Sequence, residues 1–185
     1  MLFGHRLLYA ILGGMFFSLF GVLGSVLQAW VCDRTGIRKL ALIGYMIAFI
    51  SLPAIGLAHG FGLLPVAAVF VALFLFGHSL GPGPQGMAMA ALSFPTMLRG
   101  SAIGWTQGML RVGSIVGSFA FPLLMSRVGF NTTFEFVALA PLAGGLVTLL
   151  IRWEPIGKSV EEEWFQSHDM ELEPLTDSKM STTPP

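Results

Sequence analysis

Charge is scarce in this sequence. Asp, Glu, Lys and Arg together make up 11% of its 185 residues, where a soluble domain carries about a quarter. So few charges cannot cover a globular surface, which excludes a water-soluble enzyme. The lack of a basic face excludes a nucleic-acid binder. Cysteine is rarer still: Cys32 stands alone, which excludes a disulfide framework and a cysteine-built metal site. The histidines His5, His59 and His78 lie too far apart to suggest zinc ligands. No catalytic constellation is present either. Gly77-His78-Ser79 places a base and a hydroxyl side by side, but no separate nucleophile loop accompanies them. Gly157-Lys158-Ser159 lacks the upstream glycine and strand of a phosphate loop, so no cofactor is expected.

What the chain has in abundance is apolar residues, at 54%. They gather into five stretches near 7–30, 40–57, 63–92, 102–125 and 134–151. Each is long enough to cross a bilayer of roughly 30 Å, which takes about 20 helical residues. The expected fold is therefore an all-α integral membrane protein with five transmembrane helices in a membrane domain over 1–152. The third stretch is too long for one straight helix and is expected to break at Gly81-Pro82-Gly83-Pro84-Gln85-Gly86, where prolines remove donors and glycines loosen the backbone. The first stretch is too long for a secretion signal and has no small-x-small cleavage site after it, so it reads as a retained span.

The net charge of zero conceals two unlike parts. Through Leu150 the chain has seven basic and two acidic residues; from Ile151 onward it has three basic and eight acidic ones. The segment 153–185 reads as an acidic, mostly disordered tail without the apolar residues for a core. Arg34, Arg38 and Lys39, then Arg99, then Arg152 and Lys158 fall on one side of a five-span arrangement. The positive-inside rule makes that side, and the tail, cytoplasmic in a multi-pass protein of the cell (inner) membrane. Asn131-Thr132-Thr133 fits a glycosylation acceptor, and Glu135 falls at the outer interface.

Four segments carry more specific information. The first is Ala29-Trp30-Val31-Cys32-Asp33-Arg34-Thr35-Gly36-Ile37-Arg38-Lys39. Asp33 can pair with Arg38 or Lys39, and Gly36 allows a tight turn. Such a group serves either as a clasp between helical bundles or as a charged turn that sets orientation. The second is Ser93-Phe94-Pro95-Thr96-Met97-Leu98-Arg99-Gly100, with Pro95 suited to a loop or helix start and Arg99 to snorkelling at the interface. The third runs through Gly104-Trp105, Gly108, Arg111 and Gly113-Ser114-Ile115-Val116-Gly117. Its glycines permit close helix contacts. Arg111 lies near mid-depth of its span and is the most costly residue there. It either anchors a carboxylate or a proton relay, or is capped by backbone carbonyls. The fourth is the broken span, where free backbone groups accompany His78, Gln85 and, on the next helix, Gln107. His78 either titrates and donates to substrate or bonds to a carbonyl; Gln85 and Gln107 are candidate donors, and Gln28 is interfacial polar glue.

Together these segments resemble the major facilitator superfamily. The first resembles its cytoplasmic Gly-x-x-x-Asp-Arg-x-Gly-Arg-Lys signature, with Ala29 and Ile37 as departures. The second resembles the Phe-Pro-Thr-x-x-Arg-Gly segment before its eleventh helix, with Ser93 where many members have Glu. The third looks most like the aromatic-acid/proton symporters. Gly81-Pro82-Gly83-Pro84-Gln85 and Glu154-Pro155-Ile156-Gly157-Lys158-Ser159-Val160-Glu161-Glu162 resemble sugar-porter segments.

The resemblance implies helices eight to twelve of a twelve-helix, two-bundle transporter working by alternating access, a partial C-terminal bundle of the fold. The implied activity is proton-coupled movement of an organic or aromatic acid or a sugar-like metabolite. Substrate and proton pathway residues would be Arg111, His78, Gln85 and Gln107. Asp33, Arg34, Gly36, Arg38, Lys39 and Arg99 would gate on the cytoplasmic side. The implied partners are membrane lipid, a small-molecule substrate and protons, with an N-terminal bundle or another chain completing the machine. The chain on its own is then expected to be inactive, either as a truncated transporter or as a short subunit or remnant without transport activity.

Overall fold

The computed structural model describes residues 2–151 and Val160. Six helices follow one another, α1 (Leu2–Thr35), α2 (Ile37–Gly60), α3 (Leu64–Leu80), α4 (Pro82–Ser93), α5 (Thr96–Val128) and α6 (Phe130–Leu150), with no strand among the described residues. They make five apolar spans, α3 and α4 sharing one of them as Leu64–Ser93. The chain is an all-α membrane protein. The tail 153–185, including the Glu154–Glu162 segment, lies outside the described residues apart from Val160, as do the side chains of His5 and Arg6.

The helices outrun the apolar stretches that mark them in the sequence. α1 continues to Thr35 and α5 begins at Thr96, so Asp33, Arg34 and Arg99 are helical rather than in loops. A helix satisfies its own backbone, and continuing it costs less than opening the backbone in the headgroup region. At 33 residues α5 is about 50 Å long, well beyond the hydrocarbon thickness. Two of the links between spans then reduce to single glycines. Gly36 (φ 90°) separates α1 from α2, and Gly129 (φ 83°) separates α5 from α6. Both angles are in the region that only glycine adopts without strain.

The break in the third span falls at Gly81 (φ −121°, ψ −94°), one residue ahead of the prolines. Pro82 then opens α4 at its first position, where its missing N–H would have had no helical partner anyway. Gly81 packs against α2. A Cβ placed on Gly44 would lie 2.6 Å from the Gly77 carbonyl oxygen, 2.6 Å from Pro82 Cδ and 2.7 Å from Gly81 Cα. Three glycines therefore let α2 and the broken span meet backbone to backbone.

α2 is the centre of the bundle, with α3 on one side and α6 on the other, and α1 lies against α3. α5 touches α4 and the start of α6 but buries none of its residues. Its glycines Gly104, Gly108, Gly113 and Gly117 face open space.

The tight contact leaves Gly44 no room for a side chain. Gly44→Val should lower the midpoint of thermal unfolding in detergent by the equivalent of about 1–3 kcal/mol. Gly14→Val, at a site with nothing within 4 Å, should leave the midpoint near the parent's.

Candidate functional site

A cavity of about 380 Å³ opens between α2, α4, α5 and α6, beneath the end of the bundle that carries Arg38 and Arg99. Its polar lining comes from Tyr45, Gln85, Ser93, Thr106 and Thr148. Tyr45 reaches it because α6 has no side chain in the way. The ring lies across Gly144, whose Cβ, if present, would be 2.6 Å from Tyr45 Cε1.

The buried polar side chains follow one rule with one exception. Ser51, Thr133 and Thr148 each donate to the carbonyl four residues earlier, at 2.7, 2.6 and 2.7 Å, Thr133 reaching the Gly129 carbonyl that caps the start of its helix. A hydroxyl on a short stem can do this; a glutamine amide needs partners elsewhere. Gln85, 1% exposed, has only the Cys32 thiol, which donates to its Oε1 at 4.0 Å. Its Nε2 is buried without a partner. Turning the amide over would only exchange which end is unpaired. Gln85 is thus a buried amide held beside a cavity with a donor to spare.

The four pathway candidates do not converge on one point. Gln85 lines the cavity. Gln107 donates instead to the Met87 sulfur, joining α5 to α4. His78 is exposed on α3 and spans the break, its ring stacked on Phe74 at 6.0 Å. On the far side of the break, a Cβ on Gly83 would sit 3.5 Å from His78 Nε2. Arg111 is exposed near the middle of α5 and has no hydrogen-bond or ion-pair partner among the described residues. Its alternative reading, a guanidinium capped by carbonyls, is not what the structure shows.

That capping occurs at Arg38. Its Nε donates to the Thr148 carbonyl at 3.2 Å and its Nη2 to the Leu149 carbonyl at 2.9 Å. Asp33 is exposed and has no ion-pair partner among the described residues, so the expected pairing of Asp33 with Arg38 or Lys39 is corrected. The last carbonyls of a helix lack partners and carry partial negative charge. In a nearly apolar setting they draw the guanidinium, while the exposed carboxylate and Lys39 stay solvated. Arg34 is also exposed; Arg99 is half-buried, its Nε buried without a partner. Gly36 provides the turn. Asn131 does not present itself as a glycosylation acceptor. It lies in the first turn of α6, and its amide and backbone press on Gly60 and Gly56 of α2.

Five site contributors escaped the sequence reading: Tyr45, Cys32, Ser93, Thr106 and Thr148. The adjacent Gly144 and Gly145 were the one signal in the sequence, since a glycine pair in a span marks a place where something large comes close.

The sugar (and other) transporter family matches residues 7–163, which covers all five spans. The chain is 34% identical over 154 residues to the gentisate transporter of Corynebacterium glutamicum, covering 81% of this chain and 32% of that protein. It is 32% identical over 133 residues to glycerophosphoinositol permease 1 of Candida albicans, 69% and 25% of the two chains. Against the major myo-inositol transporter IolT of Bacillus subtilis it is 26% identical over 167 residues, 86% and 35%. The chain belongs to the sugar (and other) transporter family of the major facilitator superfamily. The relatives it matches are themselves named as transporters and a permease. The chain spans between a quarter and about a third of the length of the curated relatives it matches.

Two substitutions separate the roles of the buried polar groups. Gln85→Met should raise the midpoint of thermal unfolding in detergent, because an apolar side chain of similar shape removes an unpaired amide worth about 1–3 kcal/mol. Arg38→Met should lower it by a comparable amount and speed hydrogen exchange in the last turn of α6, since two charge-assisted bonds are lost.

Proposed function

We propose that this chain forms the last five spans of a proton-coupled transporter for a small organic acid, with a sugar-like metabolite as the neighbouring possibility within the family. Arg111 carries the reading. A guanidinium near the middle of a membrane span needs a carboxylate, backbone carbonyls or a watered cavity, and no described residue pairs with it. A substrate carboxylate meets that need, and the likeness to a gentisate transporter supports that chemistry. His78, lying across the broken span, is the candidate proton carrier. Gln85 and Gln107 are candidate donors to substrate hydroxyl or carbonyl groups. Asp33, Arg34, Gly36, Arg38, Lys39 and Arg99 form the cytoplasmic gate, with the acidic tail 153–185 on the same side of the inner membrane.

The unburied face of α5 supports a second bundle as the missing partner, supplied by further polypeptide or by another chain. Transport then needs both parts. The chain reconstituted alone in liposomes should show no proton-linked uptake of aromatic acids or sugars. Co-reconstitution with the first seven spans of the gentisate transporter should restore uptake, and Arg111→Lys or Arg111→Ala should abolish it while membrane insertion is retained. Proton-linked uptake by the chain alone would overturn the reading. Full uptake by the Arg111 variants would return that residue to a structural role.

A further inference from the structure

On the side of Tyr45 away from the polar cavity, α2 and α6 enclose a second hollow of quite different character. It is a groove of about 300 Å³, with Leu42, Met46 and Phe49 on one wall and Leu142, Leu146 and Leu149 on the other. Tyr45, lying flat across Gly144 with its Cβ near Gly145, is the partition between the two spaces. Met46, Leu146 and Leu149 are each more than half exposed. The groove is therefore a half-open apolar slot on the outside of the bundle.

Its direction is informative. Residues three and four apart share a face of a helix, so Arg38 and Lys39, four and three residues before Leu42, stand at one end of the slot. Arg38 is fixed there by the Thr148 and Leu149 carbonyls, and Lys39 is exposed beside it. The slot runs from these two cations toward the bilayer interior. From Leu42 to Phe49 it extends about 10 Å along the axis. A spanning helix of a partner protein needs apolar contact over roughly 30 Å and would leave most of its length unseated. A lipid tail reaches about half that depth and has its charge at the same end as the cations.

We propose that the α2–α6 groove, with Lys39 and Arg38 at its mouth, is a binding site for an anionic phospholipid. One acyl chain lies between Met46 and Leu146, and the phosphate rests on Lys39 with the guanidinium of Arg38 behind it. Basic groups between helices at the membrane surface favour anionic headgroups in this way, and the apolar walls add selectivity for an attached tail over a free phosphate. Occupancy ties α2 to the end of α6 at the point where Arg38 already joins them.

Native mass spectrometry of the full chain, released from detergent with defined lipids, tests this. Phosphatidylglycerol should bind in preference to phosphatidylcholine of the same chain length, and soluble glycerol phosphate should not displace it. Lys39→Gln should weaken phosphatidylglycerol about fivefold, the effect of one interfacial charge, and leave phosphatidylcholine unchanged; Lys39→Arg should restore it. Leu146→Trp, which fills the slot, should weaken both lipids. Equal binding of the two lipids, or phosphatidylglycerol binding untouched by Lys39→Gln, would overturn the headgroup assignment. Phosphatidylglycerol binding that survives Leu146→Trp or yields to glycerol phosphate would show a surface charge contact without a groove, and would overturn the site.

Discussion

A peptide group in hydrocarbon has no water to turn to, and each one must find its partner within the protein. Most of this architecture follows from that requirement. The helices run on past their apolar stretches until a single glycine can reverse the chain. The buried hydroxyls of Ser51, Thr133 and Thr148 fold back onto their own helices. The last carbonyls of α6 take their donors from Arg38, on a different helix. The broken span places a proline where a donor would be superfluous. Against this background the unpaired amide of Gln85 stands out, because here the requirement is left unmet beside a cavity.

Packing adds the second ordering element. Without a hydrophobic effect between helices, association depends on how closely backbones approach. α2 makes two such approaches, to the break through Gly44, Gly77 and Gly81 and to α6 through Tyr45 on Gly144. Two large elements thus share one central helix, and α2 becomes the reference against which α3, α4 and α6 are placed. Tyr45 does double duty by closing the polar cavity on one side and flooring the apolar groove on the other. The bundle therefore has an inner hollow with polar groups in its lining and an apolar outer one, separated by the thickness of one ring.

The sequence made some of this plain. Hydropathy marked the five spans, the Gly-Pro run marked the break, and Gly36 announced a turn that only glycine makes. These are local signals, encoded within a turn or two of chain. The partner of Arg38 was not legible, because it lies 110 residues away on α6, and the charge pattern nearby favoured Asp33 instead. The burial of Gln85 against Cys32 was hidden for the same reason: it depends on how α1 and α4 come together, which composition does not reveal. Arg111 was flagged by cost alone. In the structure it has no partner among the described residues.

The long helix α5, which buries nothing, has a mechanical meaning. A helix wedged among neighbours moves only when they do, whereas one attached by its ends and a few side contacts keeps its own tilt and roll. The anchor of α5 at one end is the joint at Gly129, and its glycine-lined flank offers little friction. In this chain α5 is held by that joint and by its contacts with α4, including Gln107 on Met87; in the proposed transporter its open flank is where a second bundle would bear. Any roll of α5 about its own axis would carry Arg111, near its midpoint, toward or away from that bearing surface.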